Sequence, residues 1–253
     1  MKLSVETPEN AGTAEHSTSP GYGGIWLRWV IVNGIATAMG LGGAAVVVMA
    51  LARNMSVEPG TIGIILMAIG LIAFGTIEGI IAGIMQWQVL RRAIPDLSRG
   101  AWMLANALGA LMAWTLGVLW LGTIGIQGSP QEPQGFNAVI PYLMAASLGI
   151  ILGATIGLQQ RRVLRNCIPR AGLWIISNAL AWGAALPLML GIIQISSDSV
   201  MPSAPAILAL AGITGAVMGS ISGLCLLRML RKHYAGESGD KNMSPVFPSA
   251  HSS

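Results

Sequence analysis

Long apolar runs alternate with short polar stretches along most of the chain. Six runs are about 22 to 31 residues long, and a helix of that length crosses a hydrocarbon core of about 30 Å at about 1.5 Å per residue. The runs predict helices near residues 25–52, 60–91, 102–126, 138–165, 174–195 and 206–232. The pattern therefore predicts an all-α integral membrane protein with six transmembrane helices.

The two ends of the chain lack this pattern. Residues 1–24 and 235–253 are rich in Ser, Pro, Gly and Glu without hydrophobic periodicity, so we expect disordered tails around a membrane domain at residues 25–234. Composition agrees, because 53% of the residues are hydrophobic and only 9% are charged, against about 25% charged in an ordinary soluble domain. That imbalance excludes a soluble globular protein.

A repeat with a period of about 72 residues underlies the six helices. The first helices of three pairs share the pattern W-x-x-x-N, at Trp29 to Asn33, Trp102 to Asn106 and Trp174 to Asn178. The second helices carry glycine at every fourth position, namely Gly75, Gly79 and Gly83, then Gly149, Gly153 and Gly157, then Gly215, Gly219 and Gly223. Leu-Arg follows seven residues after each last glycine, at Leu90, Leu164 and Leu230. We therefore predict three tandem two-helix repeats at about 25–92, 102–165 and 174–232.

Basic residues are confined almost entirely to one side of the predicted membrane domain. Thirteen of the fourteen Lys and Arg residues lie in the tails, at Arg28, or at residues 91–99, 161–170 and 228–232, and only Arg53 lies on the other side. Because basic loops are retained in the cytoplasm, both termini are predicted to be cytoplasmic. The turns on the other side contain Glu58-Pro59, residues 129–133 and residues 196–198.

Tryptophan and arginine near the predicted inner boundary favour contact with lipid. Amphipathic indole rings sit well among headgroups, so we predict interfacial anchors at Trp26, Trp29, Trp87, Trp102 and Trp174. The cytoplasmic arginine clusters would attract anionic lipid or an acidic partner, although membrane topology alone also accounts for them. Nothing beyond the net charge of +4 favours nucleic acid, so the bilayer is the partner that the pattern demands.

One charged residue, Glu78, lies deep inside a predicted helix. A carboxylate near the middle of the bilayer costs at least about 2.5 to 3.5 kcal/mol, so its side chain should face the interior of the bundle. Two interpretations stay open. Glu78 is either a proton or cation site, or a neutral acid hydrogen-bonded to Thr76, to a hydroxyl of another helix or to a backbone carbonyl.

Polar and small residues recur at matching positions of the predicted repeats. Asn33, Asn106 and Asn178 lie at one depth, close to that of Gln86 and Gln160, and predict interhelical hydrogen bonds of about 0.6 to 2 kcal/mol each. A ring of amides could alternatively bind a lipid headgroup or a polar solute. The glycine faces predict close helix packing, either of the three second helices with one another around a pseudo-threefold axis or of each second helix on its own first helix. They also make a homo-oligomer or a membrane complex plausible.

The sequence predicts neither a cofactor nor a metal site. All three histidines, His16, His233 and His251, lie in or beside the tails, so no apolar helix offers an imidazole ligand. Cys167 is the only thiol in a loop; its basic neighbours would favour a thiolate, but no histidine or aspartate is expected to accompany it. Without a catalytic constellation we predict that the protein is not an enzyme.

The segment Gln86-Trp87-Gln88-Val89-Leu90-Arg91-Arg92, followed by residues 102–108, resembles repeats of multi-span bacterial membrane proteins of no known activity. The resemblance spans most of residues 25–232 and implies a bacterial cytoplasmic membrane. Because the repeated features are packing and anchoring devices, we predict a non-enzymatic scaffold or accessory subunit. A small-solute or proton- or cation-coupled transporter that uses Glu78 is the alternative.

Overall fold

The computed structural model of the protein describes residues 22–54, 60–126, 139–197 and 203–240. Within these residues the chain forms helices and short turns, and no strand occurs. The helices are α1 (Tyr22–Thr37), a π-helical turn (Ala38–Gly42), α2 (Gly43–Asn54), α3 (Thr61–Leu90), α4 (Arg99–Ile126), α5 (Ile140–Leu164), α6 (Leu173–Ser197) and α7 (Ala204–Asp240).

Six helical stretches of the described chain are long and apolar enough to cross a membrane. They are Tyr22–Leu51, Thr61–Leu90, Arg99–Trp120, Ile140–Leu164, Leu173–Gly191 and Ala204–Tyr234. The prediction of an all-helical, multi-pass membrane protein with six such helices is confirmed. The first span combines α1, the π-helical turn and α2, so the π-helical turn interrupts a single membrane crossing.

Several predicted boundaries differ from the observed ones or fall outside the described residues. Helix α7 continues to Asp240, beyond its predicted end at residue 232, and α6 includes Ser196 and Ser197 from a predicted turn. The predicted turns at residues 58–59 and 129–133 lie outside the described residues. Of the tails predicted to be disordered at residues 1–24 and 235–253, the described parts, residues 22–24 and 235–240, are helical, so that prediction is wrong for them; residues 1–21 and 241–253 lie outside the described residues.

Apolar side chains cover the outer surface of the bundle, and many polar side chains lie in its interior. Ile62, Leu66 and Leu119 are 75%, 63% and 62% exposed, whereas Asn106 and Gln160 are buried. A soluble protein would show the reverse distribution, because water solvates polar groups and hydrocarbon does not. The exposed side chains therefore form a surface suited to lipid.

The six spans form a closed ring. Helix α3 packs extensively on α4, α5 on α6, and α7 on the first span, while α1 with α3, α4 with α5, and α6 with α7 complete the circuit. The last helix of the chain thus closes against the first one. Each span has two neighbours, and the ring surrounds one central axis.

Three of these contacts, which we call the glycine seams, bring helix backbones close together. A Cβ atom added at Gly79 of α3 would lie 2.9 Å from the carbonyl oxygen of Asn106 in α4. A Cβ at Gly153 of α5 would overlap the carbonyl of Asn178 in α6, and one at Gly215 of α7 would lie 2.5 Å from that of Asn33 in α1. The glycine faces therefore meet neither one another nor the first helix of the same predicted repeat. They meet the next helix along the ring.

One end of the bundle, which we call the basic end, carries Arg91, Arg165 and Arg231 and is closed by compact turns. The amide of Ile94 donates to the carbonyl of Leu90 at 2.8 Å, and the amide of Ile168 donates to that of Leu164, also at 2.8 Å. All four side chains are buried in one apolar cluster. These turns cap α3 and α5 and seal the basic end with apolar side chains.

We expect replacement of Gly79 by alanine to destabilise the bundle, because the new methyl group would collide with the Ala110 side chain and with the backbone of Asn106. Overpacking of this kind costs about 1 to 3 kcal/mol. The matched control is Gly70→Ala in the same helix, where a Cβ meets nothing within 4 Å and where alanine is the better helix former. The free energy of unfolding, measured by titration of purified protein with SDS, should fall for Gly79→Ala only. Equal stability of the two variants would contradict the close packing of Gly79 against α4.

Candidate functional site

Three tryptophans meet at the centre of the ring. Trp29, Trp102 and Trp174 are at most 1% exposed. The ring centroids of Trp29 and Trp174 are 5.6 Å apart, and those of Trp102 and Trp174 are 6.4 Å apart. The prediction that these three residues anchor the protein at the lipid interface is wrong, because closure of the ring turns their helix faces inward. We call them the tryptophan cluster.

The other two predicted anchors lie less deeply. Trp87 is half-buried, donates its indole N–H to the carbonyl of Leu97 at 2.9 Å and lies under the guanidinium groups of Arg91 and Arg99. Trp26 is also half-buried and donates to a backbone carbonyl of α7 at 3.4 Å. Trp87 therefore makes a hydrogen bond and two cation–π contacts at the basic end.

The recurring amides form a layer one helical turn from the tryptophan cluster. Each asparagine side chain donates to the carbonyl of the tryptophan four residues earlier, at 2.8 Å for Asn33 and 2.9 Å for Asn106 and Asn178. Gln86 donates to the side-chain oxygen of Asn33 at 3.0 Å, and Gln160 to that of Asn106 at 2.9 Å. We call these five residues the amide layer. Its hydrogen bonds join α3 to α1 and α5 to α4.

The two glutamines differ in their second hydrogen bond. The Gln160 oxygen accepts the indole N–H of Trp174 at 2.7 Å. At the matching place, the Gln86 oxygen and the Trp102 indole nitrogen are both buried, and neither has a hydrogen-bond partner among the described residues. Buried polar atoms without partners are rare in folded proteins. The part of the amide layer around Gln86 therefore makes fewer of its possible hydrogen bonds than the part around Gln160.

The seam between α7 and α1 is displaced by one helical turn from the position that the sequence match predicts. Alignment of the three glycine ladders places Leu226, three residues after Gly223, at the position of the two glutamines. The residue that accepts the indole N–H of Trp29, at 3.0 Å, is instead Ser222, four positions earlier. In each seam one glycine lies opposite the Cβ atom of an asparagine. A Cβ added to that glycine would lie 3.0 Å from the asparagine Cβ at Gly83, 3.2 Å at Gly157 and 3.0 Å at Gly219. Gly219 thus takes the place that the sequence match assigns to Gly223.

A central cavity of about 80 Å³ lies on the axis of the ring. Its wall includes the amide layer, Thr37, Trp114 and Glu78, and among the described residues Glu78 is the only ionisable one that lines it. Trp29 also lines it, so the tryptophan cluster closes the cavity toward the basic end. A single water molecule needs about 10 to 15 Å³ of such space, so the cavity has room for a few waters or a small ion.

Glu78 reaches this cavity from α3, about 12 Å deeper than Gln86 at about 1.5 Å per residue. Its carboxyl group accepts a hydrogen bond from the side chain of Trp114 in α4. Thr76, one of the partners expected from the sequence, donates instead to the carbonyl of Ile72 in its own helix at 2.8 Å. The carboxyl group is therefore bound by a neighbouring helix, through an indole that the sequence analysis did not single out.

The π-helical turn lies directly opposite this carboxyl group. A Cβ at Gly40, within that turn, would overlap the side chain of Glu78. A π-helical turn inserts an extra residue into a helix and often marks a functional position. The helical pattern of the sequence does not predict this turn, and the glycines at residues 40, 42 and 43 are the sequence signal that could have indicated it.

The loop thiol is not activated. Burial, and then the charge of Asp96, raise the pKa of Cys167 above its ordinary value. The expectation that basic neighbours favour a thiolate is therefore wrong, and so is the expectation that no aspartate accompanies the thiol, because burial and the Asp96 charge both raise its pKa. Among the described residues, no group of three or more His, Cys, Asp and Glu side chains is placed to hold a metal ion.

The fold and the cavity together define a class, a multi-pass helical membrane protein with a small polar cavity at the centre of a closed ring. No protein-family model, no curated protein and no solved structure matches the chain.

The amide layer predicts an unequal effect of two matched substitutions. Gln160→Leu should leave the Trp174 indole and the Asn106 side-chain oxygen without a buried partner, at a cost of about 1 to 3 kcal/mol. Gln86→Leu removes one hydrogen bond but also one unpaired oxygen, so it should cost less. The comparison requires the free energy of unfolding of both variants in the same detergent. A larger loss for Gln86→Leu would show that its oxygen is paired in solution.

Proposed function

We propose that this protein is a membrane carrier that binds a proton or a small monovalent cation at Glu78. The observation that supports this proposal is the position of that carboxyl group, in the wall of the central cavity and beside the amide layer. Ionisable residues inside a membrane bundle commonly mark ion pathways and proton relays, since their burial is costly unless it is used.

The chemistry of the wall favours a small hard cation. Within the part of the chain that the structure describes, Glu78 is the only ionisable residue that lines the cavity, and no arginine or lysine shares its wall. The other polar groups are amides, the hydroxyls of Thr37 and Ser222, and indoles. Carboxylate and amide oxygens are suitable ligands for a hard cation. The volume of about 80 Å³ excludes a large hydrated solute from the central cavity.

The three seams support the proposal that the chain consists of three tandem two-helix repeats. In each seam a glycine face of one proposed repeat meets the W-x-x-x-N helix of the next one, and the third repeat returns to the first. The one-turn displacement of α7 and the single carboxyl group make the ring asymmetric. Transporters built from repeats commonly place their binding site where the repeats meet.

The proposed orientation places both termini and the basic end in the cytoplasm of a bacterial cell, with the protein in the cytoplasmic membrane. The positive-inside bias and the resemblance described above support this arrangement. Anionic lipid headgroups are then the natural partners of the arginines at the basic end, each exposed charge contributing about 1 kcal/mol near such a surface.

A scaffold or accessory subunit is the second candidate. It is favoured by the tightness of the three seams, because backbones in contact leave little freedom for the helices to slide. Such a protein would use its lipid-facing surface to hold a second copy or another membrane protein, and its cavity would be only a packing defect.

Proton flux distinguishes the two candidates. Wild-type protein in liposomes with an imposed pH gradient should dissipate that gradient faster than protein-free liposomes, as read from an internal pH-sensitive dye. Glu78→Gln keeps the shape of the side chain but cannot release a proton, so its flux should fall to the protein-free level. The control is Thr76→Val, whose hydroxyl bonds to its own helix and does not line the central cavity.

Sodium flux is measured in the same liposomes. The carrier proposal would be contradicted if wild type and Glu78→Gln both showed negligible proton flux and negligible sodium flux. The scaffold would then be the better explanation, and proteins that copurify with the chain would identify its partner.

Orientation is tested with the single loop thiol. In a Cys225→Ala background, a membrane-impermeant maleimide should label Cys167 in inside-out vesicles and not in intact cells. Because burial and Asp96 raise the pKa of Cys167, the thiol is mostly protonated at neutral pH, so labelling should be slow there and should accelerate as the pH rises. Labelling in intact cells would place the basic end outside.

A further inference from the structure

A second cavity, which we call the lateral crevice, lies between the first span and α3. Its volume is about 270 Å³, and its wall includes Met39 and Ala36 on one side and Phe74, Ile77 and Ile81 on the other. Met39 is 49% exposed and Ile77 is 57% exposed, so the crevice opens on the lipid-facing surface. The contact between the first span and α3 is also the least extensive of the six contacts around the ring.

Glu78 lines both the lateral crevice and the central cavity. Among the described residues that line the crevice, Glu78 is the only polar one, and the others are apolar. The absence of a side chain at Gly40 leaves the space that the carboxyl group occupies. A carboxyl group at the end of an apolar passage is therefore reachable from the hydrocarbon of the bilayer.

We propose that the lateral crevice binds a lipophilic ammonium ion, which enters from the bilayer and pairs its charge with Glu78. The inference rests on the proposed function, since it assigns a substrate class to the same carboxyl group, for which ammonium and proton compete. The apolar walls hold the hydrocarbon part of the ligand. Phe74 adds an aromatic surface, and such surfaces attract ammonium groups.

Charge complementarity distinguishes this occupant from the acyl chain of an ordinary lipid. An acyl chain would satisfy the apolar walls but would leave the buried carboxyl group without a counter-charge. An ammonium ion with an alkyl tail satisfies both. A fully hydrophilic cation would match Glu78 but would have no reason to cross the lipid-facing mouth, because its hydration would be lost there.

The test measures equilibrium binding of radiolabelled n-octylamine to full-length protein in nanodiscs. Binding should be saturable, and an excess of unlabelled n-octylamine should compete while n-octanol, which has the same tail without the charge, should not. Glu78→Gln should weaken binding at least about tenfold.

Two matched substitutions locate the site. Ile77→Trp fills the crevice with a larger side chain at a position that does not line the central cavity, so it should weaken binding at least about tenfold. Ile69→Trp, in the same helix and 58% exposed, lies outside the crevice and should bind like wild type. Met39→Trp, which fills the crevice from the first span, should repeat the effect of Ile77→Trp and guards against misfolding of a single variant.

Competition by n-octanol equal to that by n-octylamine, or unchanged binding in both Ile77→Trp and Met39→Trp, would overturn the inference. Proton flux is measured on the same preparations, so the two proposals fail separately. Glu78-dependent flux without charge-selective n-octylamine binding leaves the carrier proposal and removes this one. Charge-selective binding that depends on both Glu78 and Ile77, without flux, establishes the ammonium site and removes the carrier proposal.

Discussion

The close approach of helix backbones at the three glycine seams is the constraint on which the rest of the structure depends. In hydrocarbon there is no hydrophobic gain from bringing two apolar helices together, so attraction must come from dispersion contacts and hydrogen bonds at short range. Glycine removes the side chain that would hold the backbones apart, as at Gly153, where a Cβ atom would overlap the carbonyl of Asn178. Three such seams, together with the contacts of α1 with α3, α4 with α5 and α6 with α7, close the bundle.

Closure of the ring determines where polarity goes. The helix faces that pack at the seams also carry the tryptophans and asparagines, so closure turns those side chains toward the axis, where they bond to one another instead of facing lipid. The result is an interior with a tightly packed aromatic end and a less fully paired region around Gln86 and Glu78. The candidate site at Glu78 therefore lies in the part of the interior where packing and hydrogen bonding are least complete.

Much of the fold could be predicted from the sequence, because hydrocarbon permits only long apolar helices and because a lone carboxyl group such as Glu78 stands out among them. The pairing of the helices could not, since three similar glycine faces and three similar W-x-x-x-N faces allow several arrangements with the same local pattern. Trp102 was assigned to the lipid interface because an inward tryptophan near a helix end has the same sequence signature as an interfacial one. The π-helical turn and the bond from Trp114 to Glu78 depend on tertiary contacts that no local pattern contains.

The seam between α7 and α1 has a consequence for biosynthesis. Of the six spans, α1 leaves the ribosome first and α7, which covers its asparagine face, leaves last. Until α7 has been made, Asn33 and Trp29 lack that partner, and the ring stays open at that edge. A chain that stops before α7 keeps this polar edge permanently exposed, which distinguishes an unfinished product from a finished one for the proteases that survey the membrane.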